Sequence, residues 1–171
     1  MNNIMIDLET ASARSDAAIL SIGAVKFDAN GIGETFYQAV DFQSHVDVGG
    51  RVSDDTIEWW TKQSEEARAV WTDPNRIGIR DALIAFSQWA ACPGLKIWGN
   101  GATFDNVILV NAYHAVGLKA PWQFWNDRCY RTAVAGHPRI DRSKGTHHNA
   151  LDDAIAQAKH FIRVAPEMII S

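Results

Sequence analysis

Four acids and one histidine in this chain of 171 residues have types and spacings that can do chemistry together. Asp7 and Glu9 lie two apart in Ile4-Met5-Ile6-Asp7-Leu8-Glu9-Thr10, an apolar run that predicts a buried strand ending in polar groups. Side chains alternate along a strand, so the two carboxylates share one face while Ile6 and Leu8 share the other. Two acids on a buried face repel, and holding both ionised without a counter-charge costs several kcal/mol. A cation partner removes that penalty. An exposed edge strand with solvated acids removes it as well, and the pair alone leaves both readings open.

Asp105 follows a predicted strand, Leu95-Lys96-Ile97-Trp98-Gly99, and opens a predicted helix. That place suits a polar group aimed into a site, and it equally suits a carboxylate that caps the helix or meets its dipole. The block His147-His148-Asn149-Ala150-Leu151-Asp152-Asp153 opens the last helix. With Asn149 as N-cap, Asp152 falls where it can close a capping box, which is a structural task. Asp153 lies about 100° further round the helix and can face the strand of Asp7 and Glu9, or be a solvated first-turn acid. His148, just outside the helix, can reach over such a site and take a proton from water.

The elements around these residues read as strands first and helices after. Ile19 to Phe27 and Glu34 to Val40 are further strand candidates, separated by the turn residues Asp28-Ala29-Asn30-Gly31-Ile32-Gly33, so an antiparallel meander is expected. Ser53 can cap a helix through Trp59 and Trp60, and Ser64 can start another. Asn75 to Ala91 carries Ile79, Leu83, Phe86 and Ala90 at helical spacing, and Pro93-Gly94 stops it. Thr103 to Val116 and Ala150 to Val164 are predicted helices, with a polar loop over Gly136 to Gly145. One further strand among these helices predicts an α/β layer fold with a mixed sheet.

Sixteen Lys plus Arg against twenty Asp plus Glu give a formal charge of −4. No global basic field attracts nucleic acid, which counts against a passive binder more than against an acidic site neutralised by cations. Length and apolar content fit a single domain over 1–171. No segment reads as a membrane span or a secretory leader, so the expected compartment is the cytoplasm. Cys92 and Cys129 lack metal-ligand spacing and are expected as buried free thiols. Adjacent Trp59 and Trp60 cannot point the same way on a helix, so one is core and the other can stack on a terminal base, unless both are packed. Arg128 and Arg131, three apart on an expected helix face, can hold phosphates or pair with surface acids such as Asp127.

Together Asp7-Leu8-Glu9-Thr10, Phe104-Asp105 and His148-Asn149-Ala150-Leu151-Asp152-Asp153 resemble the three motifs of the DEDDh superfamily of 3′-to-5′ exonucleases. That superfamily includes ribonuclease T, oligoribonuclease and polymerase proofreading domains. Ile57-Glu58-Trp59-Trp60 with Gln63, Trp98-Gly99-Asn100-Gly101 and Asn126 to Thr132 look like its phage and prophage exonuclease VIII-like branch, which also holds a mycobacterial-type exoribonuclease. The resemblance implies an α/β ribonuclease H-like fold, a mixed central sheet flanked by α-helices.

The same resemblance implies a hydrolase that removes nucleotides from a nucleic-acid 3′ end with two divalent cations, Mg²⁺ or Mn²⁺, roughly 3.5–4 Å apart. By its register Asp7, Glu9, Asp105 and Asp153 hold the ions. Asp7 bridges both, Glu9 and Asp153 hold the one nearer the nucleophile, and Asp105 orients the other side through water. His148 is the general base; His147 and Asp152 fall outside the register. Thr10, Trp59, Trp60, Asn106, Arg128 and Arg131 are the substrate-binding candidates. DNA is the favoured substrate, with an exoribonuclease trimming RNA 3′ overhangs, or an inactive nuclease fold that only binds, as alternatives. No membrane partner is expected, and a homodimer is allowed.

Overall fold

In the computed structural model, residues 1–101, 103–140 and 148–169 are described. Part of the expected Gly136 to Gly145 loop, and His147, lie outside them. The chain runs β1 (Asn3–Thr10), β2 (Ile19–Asp28), β3 (Gly31–Asp41), α1 (Phe42–Val46), α2 (Asp54–Thr61), α3 (Glu65–Arg68), β4 (Ile77–Gly78) and α4 (Ile79–Ala90). It continues with β5 (Lys96–Gly99), α5 (Asp105–Ala115), β6 (Asp127–Cys129), α6 (Tyr130–Ala133) and α7 (Ala150–Val164).

The six strands form one sheet in the order β4-β3-β2-β1-β5-β6. β1, β2 and β3 are antiparallel neighbours, as the meander predicts, while β5 pairs parallel with β1 and β6 parallel with β5. β1 is therefore central, flanked on both edges, and its acids are not on an exposed edge strand. The alternation in β1 does what its period of two requires. Ile4, Ile6 and Leu8 join the core beneath α4 and α5 with Leu83, Phe86, Ile108 and Leu109. Met5, on the opposite face with Asp7 and Glu9, packs with Val25, Phe27 and the α7 residues Ala154, Ala158 and Phe161. Ala154, Ala158 and Phe161 recur at four and three residues, an apolar stripe whose two alanines let α7 lie close to the sheet.

Several boundaries differ from expectation. The α4 helix begins at Ile79 because Ile77 and Gly78 are drawn into a short parallel pairing with Val40 and Asp41. Ser44 Oγ then accepts the Ile79 N–H at 2.8 Å. Residues 127–129 form strand β6 through their ladder with Ile97–Gly99, so Arg128 and Arg131 do not share a helix face. Cys92 and Cys129 are free, as expected, but only half-buried. Among the described residues no helix is long and apolar enough to cross a membrane.

Candidate active site

The C-terminal half of β1 and the N-termini of α5 and α7 meet at one end of the sheet. Two glycines allow the approach. Gly23 stands across the β1–β2 ladder from Asp7, and a Cβ there would overlap the backbone of Ala150 and Leu151 at the start of α7. Gly99 ends β5, and a Cβ there would overlap Asn106 Oδ1 and press on Asp105. Asn149 caps α7, its Oδ1 accepting the N–H groups of Leu151 at 3.1 Å and Asp152 at 3.2 Å. That is the Asn149 half of the predicted capping box. It leaves Asp152 exposed and turns half-buried Asp153 toward the sheet.

Glu9, His148 and Asp153 each bring a ligand atom within 4.8 Å of the others. Asp7 belongs to the same electrostatic cluster. Its carboxyl is pushed well above the ordinary aspartate range by burial first, then by Asp105, Glu9 and Asp153, with Gln157 opposing. Gln157 Nε2 donates to Asp7 Oδ1 at 2.8 Å. Glu9, 7% exposed, is pushed up to about 8 by burial, then by Asp153 and Asp105. Asp105 is pushed up to about 6 by burial. The N–H groups of Asn100 and Leu8, donating to its two oxygens at 3.0 and 3.2 Å, and the Arg131 charge hold it down. Asp105 thus clasps the β5–α5 turn to β1 while standing in the acidic cluster.

His148 precedes the cap with φ 61°, the one positive φ outside glycine among the described residues. That conformation costs about 1 kcal/mol or more, so neighbouring contacts must hold it. Its ring meets Trp59 edge to face at 4.7 Å between centroids and Trp60 at 6.5 Å. Trp60 is 3% exposed and donates from Nε1 to Thr10 O at 2.9 Å. Trp59 is 41% exposed. The two tryptophans therefore divide, one core and one open.

Beside Glu9 lies a mainly apolar cleft of about 460 Å³ walled by Leu8, Thr10, Trp59, Trp60 and Phe104. A second cleft, about 470 Å³ and more polar, opens past His148 toward Ser21, Tyr37 and Asp73. Asp7, Glu9, Asp105, Asp153 and His148 are thus gathered, with Thr10, Trp59 and Trp60 in the adjoining wall.

Two expected substrate contacts are placed elsewhere. Asn106 is 1% exposed and its Nδ2 donates to Ile97 O and Asp127 Oδ1, tying α5 to β5 and β6. Arg128, in the middle of β6 opposite Trp98, is turned back to donate to the carbonyls of Trp125 and Asp127. Arg131 remains at the border, its Nη2 donating to Asn100 O at 2.8 Å and its charge acting on Asp105. Gln157 and Gly23 were given no role from the sequence, and Phe104 and Gly99 entered only as parts of the motifs. Gln157 had a signal, since it lies four residues after Asp153 and so on the same helix face.

Hard divalent cations such as Mg²⁺ and Mn²⁺ prefer oxygen ligands. The donors fit such ions: the carboxylates of Asp7 and Glu9, raised by burial first and then by the neighbouring acids, with one imidazole at the edge and no cysteine among them.

The family described as the 3′-5′ exoribonuclease Rv2179c-like domain matches residues 2–165. An exodeoxyribonuclease of Enterobacteria phage T4 is 27% identical, covering 78% of this chain and 71% of the relative. Among solved structures, E. coli Exonuclease I in complex with a dT13 oligonucleotide superposes with a TM-score of 0.62 at 13% identity, over 94% of this chain. The chain spans 40% of that larger protein. Exonuclease X in complex with 5′ overhanging duplex DNA (TM-score 0.59, 17% identity) covers 94% of this chain and 89% of its own. The DEDDh nuclease domain of 3′hExo bound to rAMP (0.58, 17%) covers 94% and 90%. The mixed six-stranded sheet flanked by helices thus has the ribonuclease H-like fold of these neighbours.

Proposed function

Because the chain belongs to the 3′-5′ exoribonuclease Rv2179c-like domain family, and is a 3′-5′ exonuclease of the DEDDh type, we propose that it hydrolyses the terminal phosphodiester of a nucleic-acid 3′ end with two divalent cations. The observation that carries this reading is the gathering of Glu9, His148 and Asp153 within 4.8 Å, beside an apolar cleft of nucleotide size. Asp7, Glu9, Asp105 and Asp153 are the ligands. Bound Mg²⁺ or Mn²⁺ supplies positive charge against the phosphate and against the attacking and leaving oxygens.

The chain's own groups do the rest. Gln157 orients Asp7, and the N–H groups of Leu8 and Asn100 orient Asp105. The walls of Leu8, Trp59 and Phe104 receive the terminal base, and Thr10 borders its sugar. Arg131, on the Asp105 side, meets a backbone phosphate. His148 takes the proton of the attacking water, since a neutral imidazole near pH 7 is a competent base at hydrogen-bond range.

DNA is the substrate we favour, supported by the phage exodeoxyribonuclease relative. The family description favours RNA as the second reading. Residues 1–171 act as one nuclease domain in either case, and mass in solution reads out the homodimer that the resemblance allows. Incubating 3′-labelled and 5′-labelled DNA and RNA oligonucleotides with Mg²⁺ or Mn²⁺ tests direction and sugar together. Mononucleotide release from the 3′ end is expected. Binding without turnover would replace the enzyme by an inactive nuclease fold.

A further inference from the structure

Trp59 touches two things at once. One side of its ring meets His148 edge to face, with centroids 4.7 Å apart and planes at 85°. The residue as a whole is 41% exposed, and it walls the apolar cleft with Leu8 and Phe104. Behind it, Trp60 is fixed to the end of β1 by its bond to Thr10 O and meets Trp59 at 5.2 Å and 79°. An aromatic chain therefore runs from the residue after Glu9, through Trp60 and Trp59, to the histidine whose backbone is held in the left-handed region.

We propose that Trp59 is a positioning residue for His148, through which a base seated in the apolar cleft aligns the histidine over the acids. This rests on the nuclease reading above. A base stacked on the open part of Trp59 restricts the indole to fewer rotamers. The indole in turn restricts the imidazole, because an edge-to-face pair has a preferred geometry. Recognition of the terminal base then enters the rate of the chemical step as well as binding, since only a correctly placed base can take the proton. A 3′ end lacking its base is held by the acids and phosphate contacts but meets a less ordered His148.

The test crosses two changes. The enzyme is wild type, Trp59→Phe or Trp59→Leu. The oligonucleotide, in whichever sugar the wild type degrades, ends in a normal nucleotide or in an abasic residue. In single-turnover assays with Mn²⁺, the abasic end is expected to slow the wild type roughly threefold to tenfold, the worth of one edge-to-face pair. Trp59→Leu is expected to show that same loss on the normal end and no further loss on the abasic end, while Trp59→Phe, which keeps an aromatic ring, is expected to lose less than Trp59→Leu on the normal end. Losses that multiply, or a Trp59→Leu enzyme with higher KM and unchanged kcat, would overturn the coupling and leave Trp59 a binding surface only. An independent reading follows the His148 ring signals by NMR, identified by their loss in His148→Gln, as thymidine 5′-monophosphate is added. They are expected to move in wild type and not in Trp59→Leu; equal movement in both overturns the proposal. A wild type that degrades no 3′ end overturns the nuclease reading itself, and this inference with it.

Discussion

Gly23 stands across the β1–β2 ladder from Asp7, and the space its missing side chain leaves is filled by the backbone of Ala150. The glycine on the sheet thus sets how close the first turn of α7, with Asp153, comes to the acids of β1. Gly23→Ala is expected to push that turn outward. Backbone cannot yield as a flexible side chain can, so a stability loss at or above the usual overpacking cost of about 1–3 kcal/mol is expected in urea unfolding. Weaker Mn²⁺ binding in calorimetry should accompany it. A variant that loses stability yet binds Mn²⁺ as tightly as wild type would show that α7 is not seated by this contact.

Gln157 gives a second test of the cluster. Its amide donates to Asp7 and favours the ionised carboxylate that a cation needs. Gln157→Leu keeps bulk and removes that donor, so Asp7 should move still further above the ordinary aspartate range. Loss of such a supporting hydrogen bond typically lowers metal affinity about 10–100-fold. Calorimetric titration with Mn²⁺ measures it directly, and unchanged affinity would reduce Gln157 to a core residue.

Stability without metal should fall as pH rises. Glu9 is raised in the folded chain from its ordinary 4.5 to about 8, so the native state holds a proton that the unfolded state has released. The slope of unfolding free energy with pH is therefore negative across that window. The contribution is fully present below about pH 4.5 and is lost as pH rises through about 8. Asp105, raised from 3.8 to about 6, adds the same sign over the lower part of the window. In EDTA the melting temperature should decline over this range, and Glu9→Gln should flatten the decline. With Mn²⁺ present the decline should shrink or reverse, because the ion binds the ionised native site. A melting temperature that rises with pH in EDTA would contradict the burial of these acids.

What could be read without the fold is what depends on neighbours in the chain. The alternation of Asp7 and Glu9 against Ile6 and Leu8, and the Asn149 cap that starts α7, are local patterns and stand where expected. The three residues 127–129 become a strand only because Ile97–Gly99 lies alongside, and no period survives in three residues. That hid the separation of Arg128 from Arg131. Asn106 beside Asp105 read as a substrate contact, whereas close packing of α5 on Gly99 buries it. Gly23 could not be read at all, since its reason lies 127 residues away in Ala150.

Adjacent acids on α7 give the sharpest test of the register. Asp153 is half-buried and shares a 4.8 Å cluster with Glu9 and His148. Asp152 is exposed, with its N–H donated to the Asn149 side chain. Asp153→Asn keeps the volume and removes one charge of the proposed ligand set, so Mn²⁺ binding should weaken and most turnover disappear. Without metal the same variant should be more stable than wild type near pH 8, because Asp153 is the leading charge that, after burial, holds Glu9 up. Asp152→Asn should cost at most about 1 kcal/mol, the scale of a first-turn dipole or cap contact, and keep substantial activity. Urea unfolding in EDTA, Mn²⁺ calorimetry and oligonucleotide turnover on the two variants separate the roles. If the phenotypes were exchanged, the ligand would be Asp152, and the five-residue spacing from His148 would no longer describe this site.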